Sequence, residues 1–400
     1  QWDANFGQRS FAHSVPTGFK TLNTDNFSIN TPTIIRPQKH FKPVIYTGDN
    51  TEYRKIPLEF KADLLWFKRR DAAGSHVLSD TVTGITKHLT PNDTSAQGSP
   101  AYPYVSDVED NGIILRGSAS SGGNVSGRSM VAWCWKGGGN SNTFNVDGKG
   151  YASASAAGIT EGNLAITGAS INREAGFSIV KFTANNNASA TIGHGLNSKP
   201  KFVIVKDTAN SDDWQCKFID DNIYVPLNDN NAGSTSYGNY TATDTLINLG
   251  YTWNNGSGIH VAYSWTSIPG YSKIGRYNAL GSTNGAYIEL GFRPAFILIR
   301  PTNNFGGSDQ NYSTWGLWDS TRSATNPVTY AGMLTANKNN PEQVRGNGSN
   351  DGALAAFDIL GTGFKVRNSA YEVGYSGSYF YMAFAEQAGE SPYHTDTNAR

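Results

Sequence analysis

Three short apolar runs without polar alternation punctuate the chain: "LLWFK" (64–68), "FVIVK" (202–206) and "FILIR" (296–300). Each is strand length, and β-branched and aromatic residues dominate, so each predicts a strand and not a helix. An unbroken apolar strand is covered on both faces or lies near the centre of a sandwich. What precedes each run also recurs. An aromatic (Tyr46, Phe182, Tyr277) leads through a polar Gly/Asn turn into a short strand. A basic residue (Lys61, Lys199, Arg293) then stands before a small or proline position (Ala62, Pro200, Pro294).

A second pattern closes each repeat: "MVAWCWK" (130–136), "HVAYSW" (260–265) and "YMAFAE" (381–386). Aligned by sequence, these place Val131 with Val261 and Met382, and Trp133 with Tyr263 and Phe384. Strict alternation puts Trp133 and Trp135 on one face and Ala132 and Cys134 on the other. Small residues on one face predict close approach by a second sheet. Upstream of each lies a Gly-led strand, "GIIL" from Gly112, "GYTW" from Gly250 and "GFKV" from Gly363.

Internal similarity of this kind marks a repeat architecture. It predicts an all-β chain of tandem antiparallel β-sandwich units of about 100 residues each, an ordinary domain size. The units span 41–136, 176–266 and 267–386. Residues 1–40 read as an N-terminal arm or the end of a preceding domain, 137–175 as a Gly/Ala/Ser-rich insertion or linker, and 387–400 as a tail. The connection "TSIPGYSKIG" (266–275) is too short for a flexible linker, so units two and three are expected to stack as a rigid rod. The chain opens at Gln1, which reads as the middle of a domain and suggests a processed or partial chain.

Composition supports the β reading. Gly reaches 44, and 20 Tyr, 19 Phe and 9 Trp sit among Asn-, Ser- and Thr-rich loops. Charge narrows the partners. With 32 basic and 32 acidic residues the net charge is zero, which lacks the basic excess of a nucleic-acid or anionic-membrane binder. No apolar stretch approaches the roughly 18 residues of a membrane-spanning helix, so no membrane insertion is expected. Cys134 and Cys216 both sit in apolar runs and read as small buried hydrophobes, not a disulfide framework or zinc site.

The stretch "NFGQRSFAHSVPTGFKTLNTDNF" (5–27) resembles the C-terminal end of SPRY-like domains in phage proteins. "WFKRRDAAGSHVLSDTVTG" (66–84), "VAWCWKGGG" (131–139), "GFSIVKFTANN" (176–186), "IPGYSKIGRY" (268–277) and "ELGFRPAFILIR" (289–300) are together similar to tail-fibre-type and other virion structural proteins of marine bacteriophages, especially cyanophages. The similarity runs from about Asn5 to Glu386. It implies jelly-roll or concanavalin-like, lectin-like sandwiches on a virion, assembled as a homotrimer beside other virion proteins, and attaching to a host-surface glycan. It brings no catalytic residues with it. The motifs are strand and turn motifs, specific for the family and silent on chemistry.

The candidate chemistry is sparse. His194 lies at a Gly-flanked turn ("IGHGL") with no second histidine at ligand spacing, and His76, His88 and His260 are scattered, so all four read as structural and no metal site is expected. No nucleophile elbow is present. A glycan-cleaving carboxylate pair needs two Asp or Glu about 5–10 Å apart across a cleft. Glu289, Asp319 and Glu386 are eligible, but only Asp80 repeats opposite Asp319. The loops 207–213 ("DTANSDD"), 228–231 ("NDNN") and 346–352 ("GNGSNDG") offer oxygen ligands of the calcium type without the spacing of a calcium loop. Turn chemistry explains them as well, and no cofactor is expected. Six aromatics in polar surroundings are the candidates for stacking on sugar: Trp214, Tyr237, Tyr240, Trp253, Trp315 and Trp318. Trp214 and Trp315 also begin the strand after the shared apolar one, where a core role is equally open. The reading is therefore a non-enzymatic virion appendage that binds host glycan. A purely structural decoration or assembly role and a polysaccharide depolymerase stand as alternatives.

Overall fold

The computed structural model describes residues 33–117, 122–235, 240–302, 313–342 and 354–386. The SPRY-like segment 5–27, Tyr237, the loop 346–352 and the tail lie outside them. The described chain is all-β, its helical segments being short 3-10 turns. It forms three two-sheet sandwiches, as the repeat predicts.

In the first unit a four-stranded sheet runs in the order Phe41–Thr47, Ser129–Trp135, Leu64–Arg69, Val77–Asp80, and is faced by Arg54–Pro57, Gly112–Leu115 and Val105–Glu109. In the third, Ser272–Ala279, Gly377–Ala385, Pro294–Pro301, Gly316–Asp319 and Leu334–Thr335 are faced by Tyr287–Glu289, Gly363–Val366, Ala355–Leu360 and Val328–Thr329. The second unit departs from the expected boundaries. Its main sheet has eight strands, and three of them, Phe144–Val146, Lys149–Tyr151 and Ile166–Asn172, come from the segment read as a linker. That segment carries enough apolar residues to join a core: Phe144, Val146, Ile159 and Ile171 are buried inside the second sandwich. The expected strand "GYTW" is instead a 3-10 turn at Thr252–Asn254, and Leu246–Asn248 takes the ladder position.

The alternation of the closing strands explains the assembly. Ala132 and Cys134 face the first sandwich's interior, Ala262 the second's, and Ala383 and Ala385 the third's. The opposite faces all enter one central core: Trp133 and Trp135, Tyr263 and Trp265, Met382 and Phe384, with Trp66, Phe202 and Phe296 from the apolar strands. Each main sheet is thus buried on both faces, once within its own sandwich and once against the other two units.

Ladder register fixes the true equivalences. Lys68 lies opposite Val131, Lys206 opposite Val261, and Arg300 opposite Phe380. Trp135, Trp265 and Phe384 therefore correspond, and the third closing strand is displaced by two residues from the sequence alignment, beside an irregularity at Pro294/Phe296. A two-residue shift preserves the face, so the parity read from sequence survives.

The units do not stack as a rod. The edge of the first meets the centre of the second, where the Tyr263 hydroxyl donates to Asp80 Oδ2 at 2.8 Å. The edge of the second meets the third, where Phe218 and Phe380 stack with centroids 3.9 Å apart. The edge of the third returns to the first, where Trp133 Nε1 donates to Asp319 Oδ2 at 2.9 Å. Asp80, Phe218 and Asp319 are register equivalents, each paired with the first residue of the shared apolar motif (Leu64, Phe202, Phe296). One relation repeated head to tail three times closes a ring with pseudo-threefold symmetry inside a single chain.

Candidate functional site

Two rings of polar contacts seal the junctions. The strand after each apolar run is preceded by His76, Trp214 or Trp315, and each of these rings reaches a backbone carbonyl of the neighbouring unit. His76 Nδ1 accepts from Trp66 Nε1, which directs the Nε2–H to Thr335 O at 2.9 Å. Trp214 Nε1 donates to Thr90 O and Asp93 O at 3.0 and 3.1 Å, and Trp315 Nε1 to Pro226 O at 3.0 Å. The cations that end the apolar runs do the same. Lys68 Nζ donates to Asn339 O, Lys206 Nζ to Thr94 O, and Arg300 Nη2 to Asn231 O. A repeated asparagine fixes the backbone of each ring residue: Asn92 Oδ1 accepts from His76 N, Asn228 Oδ1 from Trp214 N, and Asn337 Oδ1 from Trp315 N. The loop "NDNN", eligible for calcium by composition, is thus a structural element. Asn228 holds Trp214, and Asp229 caps its own turn through Asn230 N and Asn231 N.

The buried carboxylates are engaged as well. Asp63 accepts from Thr81 Oγ1, Ser170 Oγ, Gly137 N and Gly139 N at 2.7–3.1 Å, so the "GGG" run is a backbone cradle for an internal anion. A side chain at Gly138 would lie 2.4 Å from Asn145 O. Burial raises the Asp63 pKa and these donors oppose the rise. Asp319 is held by Arg322, which also reaches Glu342. Glu386 is paired with Arg293 at 2.5 Å, and Glu289 is an exposed surface group bonded by Tyr287 and Gly291 N. Among the described residues no group of three or more His, Cys, Asp or Glu is placed to hold a metal ion. His194, at 0% exposure, bonds Thr243 O, and burial lowers its pKa to about 4.

Five of the six candidate stacking aromatics are core. Trp214, Trp253, Trp315 and Trp318 have 0% exposure and Tyr240 has 1%. Tyr240 lies flat on Trp253 at 4.5 Å, and Trp318 meets Phe357 edge-on at 5.2 Å. Their faces are occupied by protein and closed to sugar, which corrects that expectation. Polar sequence neighbours misled because turns flank every strand of this chain.

The aromatics that do meet solvent were not singled out by sequence. The opening turn of each unit is clasped by the loop before its closing strand. In the first unit Asn124 Oδ1 accepts from Asp49 N, while its Nδ2 donates to Asp49 Oδ1 and Thr51 O. In the second Asn254 repeats the pattern with Asn185 N, Asn185 Oδ1 and Asn187 O. In the third Gly281 N donates to Gly374 O, and a side chain at Gly374 would fall 1.6 Å from Asn368 O. Asn50, Asn186 and Gly281 adopt matching positive φ of 62°, 62° and 65°. These clasps carry Tyr53, Tyr251 and Tyr375, exposed at 55%, 55% and 42%. A head-to-tail ring carries equivalent loops on one side, so the three clasps share a face. The available signal was the echo of "GDNT" (48–51) in "ANNN" (184–187), with a buried asparagine ahead of the first two closing strands.

A cleft of about 240 Å³ opens on the second unit near its junction with the third, lined by Asp212, Asp213, Gln215, Tyr224, Asp229 and Asn231 among others. Thr252 also borders it, next in sequence to the exposed Tyr251.

Comparison with curated proteins and with solved structures returns no match. A family model described as "Domain of unknown function (DUF7483)" matches residues 36–388, which takes in all three sandwiches and the three junctions between them. The chain belongs to the DUF7483 family.

Proposed function

We propose that this chain is a virion structural module, of the tail-fibre or appendage type, that attaches to host-surface glycan through the clasp loops of its three sandwiches. The observation that carries the reading is the trio of equivalent clasps, each with a solvent-exposed tyrosine on one of its two segments: Tyr53, with Arg116 over one face, Tyr251, and Tyr375, beside Tyr371. Flat amphipathic rings stack on sugar faces while their hydroxyls stay wet. Repetition of a weak contact on a rigid frame multiplies affinity for a repetitive surface. The zero net charge fits attachment that does not rely on electrostatic steering. The large aromatic faces are consumed inside the chain, so the homotrimer that the resemblance implies, and partnership with other virion proteins, fall to the remaining surface.

The test is retention on host cells, with virion position read in parallel by gold labelling. Wild-type protein should bind cells, and a Tyr53→Ala, Tyr251→Ala, Tyr375→Ala triple variant should lose binding with an unchanged melting temperature. A wild-type protein that never binds cells and labels only the capsid shell would favour the decoration role. Release of reducing sugar from host polysaccharide would favour the depolymerase.

A further inference from the structure

The ladder register lets the three units be compared position by position, so a buried polar side chain in one unit can be set against its equivalents in the others. At the strand next to the apolar run, position 215 of the second unit corresponds to Val77 and Gly316, and position 217 to Ser79 and Trp318. The second unit places Gln215 and Lys217 there. Two residues apart on one strand, they share a face. Gln215 is 5% exposed and lines the cleft, yet its Oε1 has no hydrogen-bond partner among the described residues. Lys217 is 1% exposed, its Nζ likewise has no hydrogen-bond partner among them, and it sits 5.2 Å over the Tyr240 ring. At the positions equivalent to Lys217, Ser79 is satisfied by Lys87 O at 2.8 Å, while Trp318 Nε1 has no hydrogen-bond partner among the described residues. Leaving a buried polar group unpaired costs about 1–3 kcal/mol, so two on one strand face call for a reason beyond packing.

The cleft wall supplies the chemistry. The carboxylates of Asp212, Asp213 and Asp229 and the Gln215 Oε1 are all acceptors, so the complementary ligand is rich in donors. The carboxylates do not converge as a metal set, which favours a ligand whose donors are spread over its own surface. A volume of about 240 Å³ lies just under the range of about 300–1,000 Å³ typical of drug-sized sites, and suits one sugar ring better than a chain. We infer that this cleft is a monosaccharide subsite, in which Gln215 Oε1 and the aspartates accept hydroxyl donors of one sugar residue of the host glycan.

This inference rests on the glycan-attachment reading and names its most specific contact. The loops at fault for the asymmetry, 207–213 and 228–231, are those whose oxygen-rich composition stood out in the sequence. The second unit alone carries the Gln/Lys pair, so a single such subsite per chain is expected from this position.

The test is saturation-transfer NMR on the full chain with methyl glycosides of glucose, galactose, mannose and N-acetylglucosamine, with calorimetric titration of CaCl2 alone as a parallel arm. At least one glycoside should show transfer. Gln215→Leu and Asp213→Asn should each weaken it tenfold or more, with Tyr102→Ala, an exposed ring of the first unit, as an unaffected control and the thermal transition confirming folding. Silence from every glycoside, binding indifferent to Gln215→Leu and Asp213→Asn, or a response to calcium only would each overturn the subsite. Host-cell retention separates the two ideas. Cell binding that persists with a silent cleft sinks the subsite alone. Glycoside binding without cell retention sinks the attachment reading alone.

Discussion

Trp133 in the first sandwich donates its indole N–H to the carboxylate of Asp319 in the third, 2.9 Å away and 186 residues along the chain. The same Asp319 Oδ2 accepts from Arg322 Nε at 2.5 Å, and the Arg322 guanidinium lies 5.4 Å from the Trp133 ring. Ring, carboxylate and guanidinium form one buried knot that ties the last unit to the first. Removing the carboxylate leaves Arg322 buried with Glu342 as its remaining counter-ion. Asp319→Ala should therefore cost about 3–5 kcal/mol in chemical denaturation. Trp133→Phe, which keeps the ring and loses only the donor, should cost about 1–3 kcal/mol. Equal losses for the two would show that the ion pair is not the anchor.

The ring of N–H donors predicts near-equivalence across junctions. Trp214→Phe and Trp315→Phe each preserve aromatic packing and orphan carbonyls of the neighbouring unit, at Thr90 and Asp93 or at Pro226. Each should lower stability by about 1–3 kcal/mol without splitting the unfolding transition. Two resolved calorimetric transitions in either variant would mean that the sandwiches fold independently.

Mild acid should weaken the fold through its histidines. Burial lowers His40 and His194 to about 4 from 6.5, and pushes His76 well below its usual value. Above pH 6.5 both folded and unfolded histidines are neutral and contribute nothing. Between 6.5 and about 4 the unfolded chain binds protons that the folded chain refuses, so stability falls. For His40 and His194 a shift of this size corresponds to about 3 kcal/mol each. Melting temperature should drop from pH 7 to pH 4.5, and His194→Gln should flatten part of that slope. A flat profile over this window would contradict the buried neutral state.

Lys217 runs the other way. Burial lowers its pKa to about 8 from 10.5 by desolvating the charged form, against the favourable contact of the ammonium with the Tyr240 ring at 5.2 Å. Below pH 8 the folded chain carries this penalty in full, and above pH 10.5 the lysine is neutral in both states. Lys217→Met should therefore stabilise at pH 7, with the gain fading as pH rises from 8 to 10.5. Loss of stability on this substitution would show that the ammonium has a favourable partner.

Much of the fold was legible because strand side chains alternate. "WCW" at 133–135 announced one large-residue face and one small-residue face, and both are used as read. What each face would meet was not legible. The aromatic face is covered by units one to two hundred residues away. The stretch 137–175 read as a linker because its apolar residues are spread thinly among Gly, Ala and Ser, although Phe144 and Ile171 suffice to dock it. At the site, Trp214 and Trp315 sit among polar neighbours because their N–H groups must reach a carbonyl at a junction. That requirement resembles an exposed binding residue in sequence and becomes distinct only when the neighbouring unit is in place. Tyr53 and Tyr251 escaped notice because their exposure depends on clasps that join segments about 70 residues apart, Thr51 to Asn124 and Asn187 to Asn254.

The ring against the rod is decided at the contact between the first and third units, where Arg70 Nε lies 2.8 Å from Glu342 Oε1. Arg70→Lys followed by a zero-length carbodiimide coupling places an amine beside that carboxylate. Mass spectrometry of the monomeric band should find an isopeptide joining residues 70 and 342 within one chain. Its absence from the monomer, with coupling confined to multimers or to neighbouring units only, would contradict the closed threefold ring.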